Sequence, residues 1–86
     1  MKPYTIQYAR PARKELEALP SKIQERIVEA VDALGENPRP QRSKKLKDTD
    51  NTYRIRVGDY RAIYEICDKT VVVYIIRIRH RKDAYQ

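Results

Sequence analysis

The sequence predicts an α+β fold in which a helix hairpin packs on one face of a small antiparallel sheet, in the order β-α-α-β-β-β. Three patterns predict it. Two apolar stripes with helical spacing flank Pro20, a polar connection occupies residues 36–51, and three strand-like runs follow it. A chain of 86 residues predicts one domain, residues 1–86, with a modest core.

The first element is predicted as a short strand over residues 2–8, where apolar and polar side chains alternate. A helix is predicted over residues 9–19, because apolar residues recur at i, i+4 and i+7 from Ala12. Pro11 suits the first turn of this helix and Pro20 ends it.

A second helix is predicted to begin at Ser21. Ser21 and Gln24 have the spacing of a capping box, and an apolar stripe runs from Ile23 to Leu34. Gly35 is placed to act as the C-terminal cap. The two helices are therefore expected to form a hairpin with a very short link.

Three strands are predicted after the polar connection, over residues 52–57, 60–67 and 71–79. Gly58-Asp59 joins the first two as a hairpin turn. The third begins with apolar residues on both faces, which is typical of a central strand that is covered on both sides.

The composition excludes several classes of protein. No run of about 18 apolar residues is present, so no membrane span is expected, and no signal peptide is visible after Met1. The single Cys67 excludes an internal disulfide and, with one histidine, leaves too few ligands for a zinc site. We therefore expect a cytoplasmic protein with neither a metal nor a cofactor.

The net charge of +7 is unevenly distributed. Residues 1–37 hold six basic and six acidic side chains, whereas residues 38–86 hold thirteen basic and six acidic ones. This asymmetry favours a polyanionic partner, most simply a nucleic acid, over a basic surface without a ligand. Five basic residues lie between Arg39 and Lys47, where they indicate either a solvated loop or a flexible basic arm beside a nucleic-acid groove.

Strand alternation predicts a basic face on the sheet. Arg54 and Arg56 point away from the apolar side of their strand, and Arg61 does so on the next strand. The helices are expected to cover the apolar face, so the arginines lie on the opposite one. There they either pair with scattered acids or bind phosphates. The residues expected on this face are Arg54, Arg56, Arg61 and some of Arg77, Arg79 and Arg81.

The same alternation makes predictions for the other polar groups. It assigns His80 to the face opposite Arg79, and Glu65 to the face of Arg61, where a salt bridge is the preferred role over that of a base. The tyrosines expected on the apolar face, as core or core-edge residues rather than RNA-stacking groups, are Tyr53, Tyr60, Tyr64 and Tyr74.

The chain resembles the RelE/ParE toxin superfamily, and its RelE branch most closely. The most similar run is KKLKDTDNTYRIRVGDYRAIYEICDKTVVVYIIRIRHRKDAY, and the likeness extends over the whole chain. Its most specific parts are Y-R-I-R, G-D-Y-R-x-I-Y-E, V-V-V-Y-I-I and the closing H-R-x-D-x-Y, which together are a strong signal.

The resemblance implies the toxin of a type II toxin–antitoxin pair, with a RelE-like fold. It implies a ribosome-dependent endoribonuclease that cuts mRNA in the A site without a metal. In that reaction the ribose 2′-OH attacks the adjacent phosphate and leaves a 2′,3′-cyclic phosphate and a 5′-OH end. The partners so implied are a cognate antitoxin, the ribosome and mRNA, with no membrane.

Carried over position by position, the resemblance implies site residues. The catalytic candidates are Arg61, Arg81, Tyr85 and His80. The candidates for RNA binding are Arg54 and Arg56 from the resemblance, together with Lys44, Lys45 and Lys47 from the basic run and Arg77 and Arg79 from the predicted basic face. The best-known members have lysines where Arg54 and Arg56 stand. Because arginine keeps its proton, these two should hold phosphate or transition-state charge, and another group must act as the base.

Two alternatives remain open from the sequence. A ParE-like toxin shares the fold but poisons DNA gyrase by binding and cuts nothing itself. A plain RNA-binding module would share the basic face without any activity. The nearly complete basic and tyrosyl site favours the nuclease over both, although few side chains are suited to be its general base.

Overall fold

The structure is a computed structural model that describes residues 3–82, and within them it contains two helices and one five-stranded sheet. The elements in chain order are β1 (Thr5–Tyr8), α1 (Arg10–Glu17), α2 (Ser21–Ala33), β2 (Lys44–Lys45), β3 (Thr52–Val57), β4 (Tyr60–Cys67) and β5 (Val72–His80). The predicted helix hairpin and the predicted three-stranded meander are both confirmed.

The sheet has the strand order β1-β5-β4-β3-β2. It is mixed rather than antiparallel throughout, because β1 pairs with β5 in the parallel sense. The helix hairpin carries the chain away from β1, so no tight turn forces β1 into an antiparallel pair. β2 was predicted as part of a loop. Its two residues are too few to show alternation, yet Lys44 lies opposite Arg54 and Lys45 opposite Tyr53.

The hairpin link differs in detail from the predicted capping box. Pro20 is the N-cap residue of α2 and no side chain caps this helix. Gln24 instead turns back, and its Nε2 donates a hydrogen bond of 2.7 Å to the Leu19 carbonyl. The link is so short that this side chain reaches the end of the preceding helix. Gln24 therefore links the two helices, whereas the sequence predicted that it would take part in the N-terminal cap of α2.

The core lies between the helix hairpin and one face of the sheet. Ala12 of α1 and Ile27 and Val31 of α2 are almost wholly buried there. They pack in the same cluster as buried residues of the sheet, which include Ile55, Ala62, Tyr64, Ile66, Val73, Ile75 and Ile78. The helices thus cover the face that strand alternation predicts, and the arginines of β3 and β4 are left on the other face, which we call the open face.

A β-bulge in β5 changes which side chains share a face. Ile63 lies opposite Arg77, but the next residue of β4, Tyr64, lies opposite Ile75, so that β5 has one residue more than β4 at this point. The uninterrupted alternation predicted for β5 is therefore wrong. Val73 and Ile75 face the helices and not the arginine side, and Ile78 faces the helices after the bulge.

The bulge also corrects the prediction for Tyr74. This residue lies opposite Glu65, between two buried neighbours, and its side chain is 39% exposed on the open face. The other three tyrosines in that prediction, Tyr53, Tyr60 and Tyr64, do belong to the core or its edge. Neither of the helices within residues 3–82 has the length and apolar character needed to cross a membrane.

Candidate nucleic-acid interface

The open face carries a groove of about 360 Å³ that is lined by basic side chains. The lining residues are Arg42, Lys44, Arg54, Arg56 and Arg61. β2, β3 and β4 supply four of them, since neighbouring strands lie about 4.8 Å apart and hold alternate side chains on one side. Among residues 3–82, no acidic side chain lines this groove, so its described lining is suited to a negatively charged group.

Strand register arranges the basic residues in two transverse rows. In one row Arg56 lies opposite Arg61, and Arg61 lies opposite Arg79. The second row runs through Lys44, Arg54, Ile63 and Arg77. Directly opposite side chains have Cβ atoms only about 5 Å apart, and like charges at that spacing destabilise a sheet. A bound anion would relieve this repulsion.

Arg61 occupies the centre of the first row and is the most buried of the charged side chains, at 7% exposure. A guanidinium keeps its proton in such a position and presents fixed N–H groups. Its neighbour Arg56 is oriented by its own turn, because its Nε donates a hydrogen bond of 3.1 Å to the Gly58 carbonyl. Gly58 has a φ of 61°, which favours glycine at this turn.

Glu15 of α1 provides a counter-charge at the β5 side of the open face. Its carboxylate accepts a hydrogen bond of 2.8 Å from Arg77 Nη2 and one of 2.9 Å from the Ile78 backbone N–H. Arg79 Nη1 lies 3.7 Å from the same carboxylate. Burial by itself would raise the pKa of Glu15, but the hydrogen bonds and the nearby guanidinium groups outweigh it and lower that pKa. The Glu15 carboxylate therefore partly neutralises the positive charges of Arg77 and Arg79.

Arg54 and Arg56 differ from the arginines of β5 in this respect. Within residues 3–82, neither of them forms an ion pair with a carboxylate. The same holds for Glu65 in the described part of the chain, so the salt bridge predicted for it is not found there. The positive charge of the groove is thus concentrated on its β2–β4 side.

The loop before β2 is held in place by a polar cluster on the other side of the sheet. Arg39 Nη2 donates to Asp68 Oδ2 at 2.9 Å and Tyr4 Oη donates to Asp68 Oδ1 at 2.6 Å. These bonds lower the pKa of Asp68, and the bond from Arg39 has the larger effect. Tyr64, wholly buried, donates from its hydroxyl to the Pro38 carbonyl at 2.8 Å. Bonds at Pro38 and Arg39 therefore hold the segment that leads to Arg42 and Lys44 against the rest of the fold, so it is not a free basic arm.

The three lysines predicted to bind RNA occupy different places. Lys44 faces the groove, because it lies opposite Arg54. Lys45 is the next residue of the strand and lies opposite Tyr53, so it points to the other side of the sheet. Lys47 is exposed in the loop after β2. Of the three, the structure brings only Lys44 into the groove lining.

Arg42 is the groove residue that the sequence did not single out. It belongs to the polar connection, where no period of two or of 3.6 assigns a residue to a face. Its only sequence signal is membership of the basic run before the first predicted strand of the meander. Its position depends on the tyrosine and aspartate contacts of the preceding loop, which are distant in sequence.

The remaining catalytic candidates lie at or beyond the end of β5. Arg81 follows the strand, and its backbone N–H donates to the Asp59 carbonyl at 2.6 Å. It lines a separate depression with Asp59, His80 and Lys82 rather than the basic groove. Tyr85 lies outside the described residues.

His80 lies on the side of the sheet that the helices cover, as its parity predicts. It is opposite Tyr60, and the two rings meet edge-on with their centroids 5.1 Å apart. Its Nδ1 accepts a hydrogen bond of 3.2 Å from the Lys82 backbone N–H. Within residues 3–82, His80 does not join any group of three or more histidine, cysteine, aspartate or glutamate side chains that could hold a metal ion.

Comparison with known proteins gives consistent results. Residues 6–85 match the family described as ParE toxin of type II toxin-antitoxin system, parDE. The chain is 34% identical to Toxin RelG of Mycobacterium tuberculosis, over 98% of both proteins. It is 29% identical to the mRNA interferase toxin RelE of Escherichia coli, over 95% of this chain and 90% of that protein.

Solved structures show the same fold. A crystal structure of an archaeal RelE–RelB complex from Pyrococcus horikoshii contains a chain that superposes with a TM-score of 0.82 at 32% identity. The match covers 92% of this chain and 96% of that one. The similarity therefore extends over most of the fold.

Proposed function

Because this chain belongs to the RelE/ParE superfamily of toxins from type II toxin–antitoxin systems, we propose that it is an endoribonuclease that cuts mRNA. The observation that carries the proposal is the groove of five basic side chains on the open face. Two relatives at 29% identity bear the name mRNA interferase, which supports the same reaction class. Translated mRNA is the proposed substrate, so the activity belongs to the cytoplasm.

The proposed reaction is a transesterification within the RNA. The ribose 2′-oxygen forms a bond to the adjacent phosphorus, and the bond from phosphorus to the 5′-oxygen breaks. A base takes the proton of the 2′-OH, and an acid gives a proton to the 5′-oxygen. The products are a 2′,3′-cyclic phosphate and a 5′-OH end. Between them the phosphorane carries extra negative charge, which fixed cationic donors stabilise.

Arg61 is the proposed donor to the phosphorane. It is the most buried cation of the groove, so its N–H groups act in a medium of lower dielectric than those of its exposed neighbours. Arg54 and Arg56 hold the adjoining phosphates, with Lys44 and Arg42 along the groove. Arg81 is proposed to bind a phosphate beyond the end of β5, since it lies outside this groove.

Within residues 3–82, the lining of the groove has no group suited to move protons. Arginine does not release its proton in proteins, and all but one of the lining residues are arginines. His80 faces the helices and packs on Tyr60, which argues against its acting at the groove. We therefore assign the proton transfer to Tyr85. The support for this assignment is the closing H-R-x-D-x-Y motif that the chain shares with its family.

The proposed partners are a cognate antitoxin and the ribosome. Solved complexes of relatives pair a RelE toxin with RelB, and an antitoxin of that class is proposed here. We also propose that cleavage takes place in the ribosomal A site. The ribosome would then align the mRNA and supply part of the geometry that a groove with few acid–base groups does not provide.

The first test is to add the purified protein to a translating bacterial extract and to map the 5′ ends of a reporter mRNA by primer extension. New ends in phase with codons are expected, and they should be absent when ribosomes are omitted. Ends that appear equally without ribosomes would remove the ribosome from the proposal. No new ends from folded protein would overturn the nuclease proposal.

A gyrase poison is the second candidate function, because the matching family description is that of ParE. It predicts inhibition of DNA supercoiling by purified gyrase and no cut RNA in the extract. Supercoiling unaffected at concentrations that stop translation would eliminate it. The groove favours the nuclease, because five basic side chains on one face suit a phosphate backbone, whereas binding to a protein does not require them.

A further inference from the structure

Tyr74 is a large aromatic side chain on the open face of the sheet. It is 39% exposed, although the residues on both sides of it in β5 are buried. Its partners across the sheet are Gln7 on β1 and Glu65 on β4. The aromatic ring thus stands between an amide and a carboxylate, in a row that contains no cation.

Exposure of a single tyrosine needs no explanation by itself. The position of Tyr74 is informative because of what adjoins it. Glu65 is two residues from Ile63 along β4, and the row of Ile63 contains Lys44, Arg54 and Arg77. Two residues of a strand span about 7 Å. The tyrosine therefore lies one row from the cations that are proposed to hold phosphates.

We propose that Tyr74, Glu65 and Gln7 form a nucleobase subsite, which we call the Tyr74 subsite, and that Tyr74 stacks on one unpaired base of the bound RNA. The inference rests on the proposed function, because it needs RNA in the basic groove. Cations that track a backbone beside an aromatic ring that stacks on a base are the usual construction of a single-strand binding surface.

The flanking groups give the subsite a preference among bases. The Cβ atoms of Glu65 and Tyr74 lie about 5 Å apart as cross-strand partners, so the carboxylate reaches the edge of a base stacked on the ring. An ionised carboxylate accepts hydrogen bonds and donates none. Guanine presents two adjacent donors on its Watson–Crick edge, N1–H and N2–H, whereas the other three bases present one each. The Tyr74 subsite therefore prefers guanine.

The test uses the absence of tryptophan from the chain. Tyr74→Trp gives a protein with one indole, whose fluorescence reports a stacked base directly. The probe is a short single-stranded RNA with 2′-O-methyl riboses, which cannot be cut through the 2′-oxygen. Fluorescence anisotropy of a dye on the RNA reports binding, and indole quenching reports stacking. RNAs with one abasic position have the same charge and serve as matched probes.

Binding with quenching is expected, and one abasic position should abolish the quenching while much of the binding remains. Binding without quenching would overturn the Tyr74 subsite and leave the basic groove standing. If neither the wild-type protein nor the variant binds the RNA, both the Tyr74 subsite and the RNA-binding role of the basic groove are overturned. The two failures are therefore distinguishable.

A second set of variants covers the case in which the indole does not fit. Tyr74→Ala should weaken binding of a guanine-containing RNA roughly 5- to 150-fold, with the salt dependence unchanged, while Tyr74→Phe stays within about twofold. Glu65→Gln should remove the preference for guanine over the other bases. Equal affinities of Tyr74→Ala and wild type, with both proteins folded by circular dichroism, would refute the proposal.

Discussion

Arg61 combines two properties at the scale of the single residue. It is buried to 7% exposure, yet it sits in a row of like charges between Arg56 and Arg79. Holding a guanidinium in this position costs desolvation and repulsion. Both features favour the binding of a phosphate. The anion relieves the repulsion between the arginines, and it is attracted to a charge that water screens poorly.

Arg61→Ala is expected to reduce mRNA cleavage by roughly 100- to 1,000-fold, the cost of removing one fixed donor to a developing anion. Primer extension in the translating extract measures it. Arg61→Lys should recover part of the activity, since the charge is kept and the planar fork is lost. The control is Arg13→Ala, an exposed arginine of α1. Equal cleavage by folded Arg61→Ala and wild type would contradict the assigned role.

How far single residues can be assigned from the sequence depends on the strand that carries them. Arg54, Arg56 and Arg61 follow from alternation, because β3 and β4 pair without irregularity over these positions. Tyr74 does not, because the bulge in β5 reverses the alternation between the residues before it and those after it. Alternation alone cannot show where an extra residue enters a strand. For Arg42, the contacts that place it join residues far apart in the chain.

At the scale of elements, β2 separates two neighbouring lysines. Lys44 faces the groove and Lys45 faces away, although their sequence context is nearly the same. A run such as SKKLK gives no sign of this, because a strand of two residues is too short to show a pattern. The register with β3 alone assigns the two side chains to opposite faces.

The two lysines give a matched pair of variants. Lys44→Gln is expected to weaken RNA binding and to reduce the slope of log K against log salt by about 0.7, the value for one phosphate contact on a single strand. Lys45→Gln removes the same charge from the other face and should leave the slope unchanged. Titrations at several salt concentrations measure both. Equal slopes for the two variants would show that the basic groove is not the docking surface.

Glu15 joins the helix hairpin to β5 through its bonds to Arg77 and to the Ile78 backbone. The pKa of Glu15 is lowered in the folded protein, so its contribution to stability is present above the unfolded value, near 4.5. That contribution is lost as the pH falls through the folded pKa. The link between the two elements is therefore sensitive to acid.

Glu15→Gln should accordingly lower the free energy of unfolding at pH 7 by roughly 1 kcal/mol, allowing for solvent screening of a partly exposed pair. The difference from wild type should shrink as the pH falls below about 4.5. Urea denaturation at several pH values measures it. Glu17→Gln, an exposed glutamate of the same helix, is the control and should change little. A difference that stays constant with pH would refute the ionic origin.

At the scale of the whole molecule, the architecture separates stability from binding. The helices and the apolar face of the sheet form the core, and the open face holds the groove that is lined by five basic side chains. The sequence predicts this division, because the positive excess lies entirely within residues 38–86, a range that includes the meander and the loop before it. The antiparallel direction that the sequence predicted is wrong for β1, which pairs with β5 in the parallel sense, because alternation is the same for both directions.

The division leads to a prediction for the whole protein. If all five groove residues contact phosphates, the slope of log K against log salt for a single-stranded RNA should be about −3.5, since each contact contributes about −0.7. A 2′-O-methyl RNA titrated between about 50 and 200 mM salt provides the measurement. A slope near zero would mean that the groove does not bind the RNA backbone. A much steeper slope would mean that cations outside the groove also contact phosphates, and Arg81 and Lys47 are the first of these to test. A slope of about −3.5 or steeper is therefore consistent with an mRNA path across the open face, and a slope near zero is not.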